Sequence, residues 1–327
     1  MMKYEPTPIA QAYKGAVEGV ERQPGVTFGC SDTAGHPMLP LVNPKYRMSK
    51  DTYLTLAYSW NREHTRGATD PRRGVWLGGP KGCGKTVAIE QFYARIGVPV
   101  VSITCNRRIP LSDYIQKLVP DGDGGWVSIP GPLIIAMTEG FPVILNEPSA
   151  MDPADLIAMH DVIDRGMLVQ DDGTVVHAAT GFLVHATDNS MGYGDQTGGY
   201  PALNSLSTAT MSRFLKMEAD YPSETEEVAI LLGRNPALDP DLAEQFVKFA
   251  NGMRAPYRQG RSSVTMGTRE LIDWVDATEY FQGLATIGRS PGWFALQRVM
   301  GGLPPAESTA MRNLFVSVTK THADMLK

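Results

Sequence analysis

From residue 75 to about 218, short uninterrupted apolar runs alternate with longer amphipathic stretches. Val75-Trp76-Leu77, Val98 to Ile103, Pro142 to Leu145, Phe182 to Ala186 and Phe214 to Glu218 are apolar enough, and short enough, to predict buried strands. Between the first two, Lys85 to Ile96 places Ile89, Phe92, Tyr93 and Ile96 on one helical face, and Gly97 stands where a helix ends. Asp152-Pro153 supplies an N-cap followed by proline at the first turn, and Gly166 closes that helix. Met167 to His177 predicts a hairpin turning at Asp171-Asp172-Gly173. Apolar strands separated by helices imply a parallel sheet covered on both faces, an α/β core.

The flanking segments differ. Residues 1–45 are mixed, with one short strand predicted around Val26-Thr27-Phe28. A helix follows from Ser49 as N-cap to about His64, with Leu54, Ala57 and Tyr58 at helical spacing. After Tyr221-Pro222 the strand signals stop. Ser223 and Glu226 form a capping box, Asp239-Pro240 opens another helix, and Thr268 to Phe281 and Ala306 to Leu326 follow. The expected division is an N-terminal extension (1–45), an α/β core (46–221) and an all-helical C-terminal domain (222–327).

Composition narrows the class. Hydrophobic residues are 43% and charged residues 20% of 327, the balance of a globular chain. The net charge of −5 gives no global basic field for nucleic acid or anionic lipid, so a nucleic-acid partner is not expected, though a local patch would escape this count. The three cysteines, Cys30, Cys83 and Cys105, are far apart, which argues against a disulfide framework or a Cys-rich zinc site. No signal pattern opens the chain and no apolar run reaches the roughly 18–20 residues that span a bilayer, so a cytoplasmic location without membrane contact is expected.

The chemistry concentrates at Gly79-Pro80-Lys81-Gly82-Cys83-Gly84-Lys85-Thr86, a complete G-x-x-x-x-G-K-[ST] phosphate loop between a strand and a helix. Glycines let backbone N–H groups turn inward around a phosphate, and the helix presents its positive end to the same anion. Lys85 is placed for the β- and γ-phosphates and Thr86 for Mg²⁺. Val143-Ile144-Leu145-Asn146-Glu147 is an apolar strand ending in polar residues. Glu147 is the candidate to polarise an attacking water, and Asn146, through water, to hold Mg²⁺. Asn146 is uncharged, which predicts weaker Mg²⁺ affinity and slower hydrolysis than a carboxylate there. Asn189, after the strand ending in Thr187-Asp188, is the candidate to orient that water. Arg213, before the last strand, suits a finger reaching a neighbouring subunit's γ-phosphate. Arg269, in the first turn of a helix of the C-terminal domain, suits coupling of nucleotide state to domain angle. An ordinary turn for Asn189 and surface ion pairs for the arginines are the alternative readings. Cys83 invites a redox reading, but a loop needing a small residue explains it more simply.

Together these motifs resemble an AAA+ P-loop ATPase of the MoxR group, most of all the CobS-type ATPase subunit of aerobic cobaltochelatase. The run Gly192-Tyr193-Gly194-Asp195-Gln196-Thr197-Gly198-Gly199-Tyr200 after Ala186-Thr187-Asp188-Asn189 is similar to a CobS-type signature, and Phe28-Gly29, Pro44, Tyr46, Met266, Arg269 and Trp274 also match. Two residues depart from the family: Asn146 stands for Asp, and Ser212 stands where an Asp precedes the finger, so a local partner to hold Arg213 is expected to be missing. The resemblance implies a homo-oligomeric ring, commonly hexameric, with ATP at subunit interfaces and a protein client or von Willebrand A domain partner. It also implies an insertion facing the ring's opening, which would place Trp126 and the hairpin tip at residues 171–173 as candidates for partner contact.

The expected function is Mg-dependent ATP hydrolysis that remodels or activates a partner, with a chelatase motor as one version. That version needs a large tetrapyrrole-binding partner, since the chain shows no tetrapyrrole signature or metal-ligand cluster. An ATP-binding scaffold with weak turnover, a phage or mobile-element ATPase with another client, and a DNA-translocating ring remain as alternatives, the acidic charge speaking against the last.

Overall fold

The computed structural model describes residues 2–22, 25–170, 173–192, 194 and 204–326. The described residues fall into two compact units, one formed by residues 2–79, 85–192 and 204–219, the other by 80–84 and 220–326. The loop tip Pro80–Gly84 thus groups with the helical unit.

In the first unit, β1 (Glu5–Pro8) pairs antiparallel with β2 (Val26–Gly29), with α1 (Ile9–Ala12) between them. Then come α2 (Lys50–Thr65), β3 (Val75–Gly78), α3 (Lys85–Ala94), β4 (Val101–Thr104), α4 (Leu111–Ile115), a hairpin of β5 (Gln116–Pro120) and β6 (Trp126–Pro130), α5 (Pro132–Glu139) and β7 (Val143–Asn146). Two short helices, α6 (Pro153–Ala158) and α7 (His160–Arg165), lead to the hairpin β8 (Met167–Val169) and β9 (Val175–His177), then β10 (Val184–Asp188), α8 (Thr208–Met211) and β11 (Leu215–Glu218). The central sheet has five parallel strands in the order β11-β3-β10-β7-β4. Alternation along these strands sends Trp76, Val143, Leu145, Val184 and Ala186 into one core and Val75, Leu77 and Ile144 into the other, as a sheet covered on both faces requires.

Residues 1–45 contribute to that second core through Tyr13, Val17 and Val20. Trp60 donates from its indole to the Phe28 carbonyl at 2.7 Å, and Tyr13 from its hydroxyl to the Phe92 carbonyl at 3.2 Å. The α2 helix starts at Ser49, whose hydroxyl accepts the Thr52 N–H, but its buried face differs from the expected one. Leu54 and Tyr58 are exposed, while Tyr53, Leu56 and Trp60 are buried. Of the expected stripe only Ala57 is buried, because a rival stripe carrying the larger rings of Tyr53 and Trp60 lies one position away. The strand expected from Val98 begins at Val101; Val98 and Val100 are buried without joining the ladder.

The helical unit contains α9 (Glu224–Arg234), α10 (Pro240–Arg258), α11 (Thr268–Tyr280), α12 (Pro291–Val299) and α13 (Pro305–Thr319). The Ser223–Glu226 capping box forms, and Asp239 caps α10 as expected. The α12 helix escaped sequence reading, and α13 stops at Lys320 in the left-handed region instead of continuing to Leu326. Trp274 centres the core, its ring 4.3 Å from Phe246 and 4.8 Å from Phe249. Beneath it Arg254 makes two bonds to Glu227, at 2.7 and 2.8 Å, and both are almost fully buried. No described helix is long and apolar enough to cross a membrane.

Candidate active site

Parallel pairing sets the site's layout. Thr187 on β10 lies level with Asn146 on β7 and Leu77 on β3, so the residues that follow these strands emerge side by side at the sheet's carboxyl edge. There Gly79, Lys85, Thr86, Asn146, Glu147 and Asn189 come together. Gly79 has φ 156°, and a Cβ on it would lie 2.1 Å from the Ala219 carbonyl oxygen, so only glycine fits the entry to the loop. Gly84, at φ 91°, makes the left-handed turn that feeds α3.

Lys85 donates through Nζ to the Gly79 carbonyl at 2.8 Å and to Asn189 Oδ1 at 3.0 Å. The other side of the same amide, Asn189 Nδ2, donates to Glu147 Oε1 at 3.1 Å. Asn189 therefore bridges the cation of the phosphate loop to the carboxylate of the neighbouring strand, which an ordinary turn residue would not do. Glu147 itself is exposed and left-handed, at φ 57° and ψ 50°, a conformation that costs a non-glycine residue of order 1 kcal/mol. Its N–H donates to the Thr187 carbonyl at 2.7 Å, which holds the residue at the strand tip.

Asn146 is saturated. Its Oδ1 accepts from the Thr86 hydroxyl at 2.7 Å and the Thr187 hydroxyl at 2.9 Å, and its Nδ2 donates to Ser102 Oγ at 2.8 Å. The amide oxygen thus faces Thr86, the hydroxyl read as the Mg²⁺ ligand.

Asp188, beside the candidate Asn189, has a role that the sequence pattern does not single out. It is fully buried and satisfied by three donors: the Ser149 hydroxyl, the Ser190 N–H at 2.9 Å and the Ser190 hydroxyl at 2.7 Å. Its backbone carbonyl accepts the Gly79 N–H at 3.1 Å. The carboxylate thus ties together the segments that follow Glu147 and Asn189, and the backbone carbonyl of the same residue holds the one that follows Gly78. The signal was a polar triplet at the end of an apolar strand, Thr187-Asp188-Asn189, in which all three positions carry contacts. Cys105 lies nearby, its thiol pushed up to about 12 by burial, with Asp188 and Glu147 adding to the effect, so it is held as an unreactive thiol. Deeper in the sheet, His185 accepts the Val75 N–H on Nδ1 at 3.0 Å and meets the Tyr93 hydroxyl at 2.6 Å on Nε2; burial lowers it to about 3.

Arg213 does not join this cluster. It precedes β11, whose Leu215 lies level with Val75 at the start of β3, so it sits at the sheet's amino edge. The expectation that it lacks a local partner is corrected. Asp164 on α7 ion-pairs with its Nε at 2.9 Å, replacing the acid absent from position 212. Arg269 lies in the helical unit, exposed in the first turn of α11. Beside it Glu270 pairs with Lys81 at 3.3 Å, and the Tyr221 hydroxyl donates to the Lys81 carbonyl at 2.9 Å, both within that unit. Gly82 and half-buried Cys83 belong to the same loop tip with Pro80. Of the partner-contact candidates, Trp126 is 69% exposed on β6. Asp171 and Asp172 lie outside the described residues, as does most of the 192–200 run.

The profile of the AAA domain (dynein-related subfamily) matches residues 74–214. NorQ of Paracoccus denitrificans is 32% identical over 183 residues, covering 55% of this chain and 64% of its own length. The CobS subunit of aerobic cobaltochelatase from Sinorhizobium is 25% identical over 263 residues, 77% of this chain and 76% of that protein. The matched profile and these relatives support an AAA+ ATPase of the MoxR type. Among solved structures, a RuvB mutant of Thermotoga maritima covers 88% of this chain and 87% of its own, with a TM-score of 0.50 at 15% identity, a likeness of fold alone.

Proposed function

We propose that this protein hydrolyses ATP in a Mg²⁺-dependent reaction, within a homo-oligomeric ring, to remodel or activate a partner protein. The observation that carries this reading is the chain of contacts from Lys85 through Asn189 to Glu147 at the carboxyl edge of the sheet. The loop suits a triphosphate, because its glycines admit a backbone cradle and Lys85 and the start of α3 supply positive charge. Thr86 and, through water, Asn146 are the residues that would hold Mg²⁺, which when bound neutralises charge on the phosphate oxygens. Glu147 takes the proton of the attacking water. Asn189 keeps that carboxylate aimed toward the same phosphate that Lys85 grips.

Arg213 stands at the opposite edge of the sheet from its own phosphate loop, so its γ-phosphate is a neighbour's. That arrangement supports a ring, for which six subunits is the working number. Arg269 we assign to sensing of nucleotide by the helical unit. The likeness to CobS supports a protein partner, a von Willebrand A domain or a chelatase-type assembly among the options. Phosphate release with Mg²⁺ tests the reading. Glu147→Gln is expected to lower turnover about 10²–10⁴-fold while ATP still binds, and an unchanged rate overturns the assignment.

A second reading, an ATP-binding scaffold with slow turnover, is favoured by the neutral, fully bonded Asn146. Asn146→Asp separates the two. About tenfold tighter Mg²⁺ binding together with faster hydrolysis supports the scaffold, and no gain supports the enzyme.

A further inference from the structure

Asp164 serves two arginines at once. Its Oδ2 lies 2.9 Å from Arg213 Nε, as an ion pair off the hydrogen-bond direction, and its Oδ1 accepts from Arg73 Nη1 at 2.9 Å. Arg73 Nη1 also donates to the Arg213 carbonyl at 3.3 Å. Arg213 Nη1 is taken up by the Ala209 carbonyl of α8. Among the described residues Nη2 of Arg213 has no partner, and the side chain is 24% exposed. The adjacent Ser212 does not take part, because its hydroxyl donates to Ala209 as well, at 2.9 Å. His160, on the same helix as Asp164, meets the Thr210 hydroxyl at 3.0 Å.

We infer that Asp164 is the positioning residue of Arg213: it pins the inner side of the guanidinium so that Nη2 points out of the subunit as a preset donor. This rests on the reading of Arg213 as acting on a neighbour's nucleotide. The physical case has two parts. A long side chain bonded at Nη1 and ion-paired beside Nε has less rotamer freedom left to lose when it meets a phosphate, so its contact is partly prepaid in folding. Without the carboxylate, two guanidiniums that share it face each other with no counter-charge, and Arg213, anchored only by one carbonyl, turns away. Arg73 makes the clamp part of the frame, since it leads directly into β3, the strand that carries the phosphate loop.

The test compares full-length Asp164→Asn, Arg213→Ala, the double variant, and Asp164→Asn with Ser212→Asp. Measurements are kcat and KM for ATP, thermal midpoint, and ATP-promoted assembly by sedimentation. Asp164→Asn is expected to lower kcat at least tenfold with KM within twofold and the thermal midpoint close to wild type. The double variant should be no slower than Arg213→Ala, and Ser212→Asp should restore most of the lost rate by supplying a new acid beside Arg213. If turnover is too slow to resolve, the same ranking is expected in assembly. Equal losses that add in the double variant, or no rescue, overturn the role of Asp164 while leaving Arg213 standing. Full activity and assembly in Arg213→Ala overturn the trans reading and this inference with it.

Discussion

The two edges of the central sheet are built from different chemistry. At the carboxyl edge, amides and hydroxyls share protons among Thr86, Asn146, Thr187 and Asn189, with Lys85 and Glu147 as the exchangeable charges. At the amino edge charges are paired and locked. Glu63 and Arg72 are buried together, Arg66 adds a second bond to Glu63 at 2.9 Å, and Arg72 also donates to the Phe182 and Ala178 carbonyls at 2.8 and 3.0 Å. Burial pushes the Glu63 carboxyl up against the pull of Arg72 and Arg66. Exposed Glu147 and the side chains bonded to it can exchange partners when a ligand arrives, whereas a buried ion pair is expensive to disturb. The edge proposed to do the chemistry is the adjustable one, and the other is the foundation.

Disturbing each edge sharpens that contrast. The largest effect is expected at the foundation: Glu63→Gln leaves Arg72 buried without its counter-charge and should cost about 3–5 kcal/mol in denaturant unfolding. Next is acid. His185 sits between the edges with a folded value near 3, below its ordinary 6.5, so the unfolded chain binds the extra proton and stability falls as pH drops below about 6.5. Wild type should lose about 2 kcal/mol more than His185→Gln between pH 7.5 and 5, the paired measurement removing the opposite contribution of Glu63. Ser149→Ala, which strips one donor from buried Asp188, should cost about 1.5 kcal/mol. It should also lower kcat while leaving nucleotide affinity unchanged. If it weakens nucleotide binding instead, Asp188 supports the phosphate loop and not the catalytic strand tips.

The sheet, its flanking helices and the phosphate loop were legible because each has a local signature: apolar runs of strand length, a periodic helix face, and glycines at fixed spacing before Lys85. Glu147, Asn146 and Asn189 were legible as polar ends of apolar strands. What escaped depended on pairing distant segments. Nothing local in Asp164 distinguishes it from Asp161, the other acid of its helix; only the proximity of α7 to the segments that lead into β3 and β11 gives it two arginines. Asp188 looked like the spacer between a strand and Asn189, yet its central strand buries it under Ser149 from another segment. The buried stripe of α2 was misjudged for the same reason, since the rings of Tyr53 and Trp60 pack against Tyr13, Phe92 and Tyr93 from elsewhere in the chain.

The left-handed backbone of Glu147 has a practical consequence for anyone engineering this protein. Glycine relieves the steric penalty at that position, and asparagine tolerates it better than most residues, so a library sorted only for heat resistance will enrich both. On the role proposed for Glu147, such winners would survive heating and bind nucleotide while turning nothing over. A selection campaign should therefore hold codon 147 fixed, or score product release alongside survival.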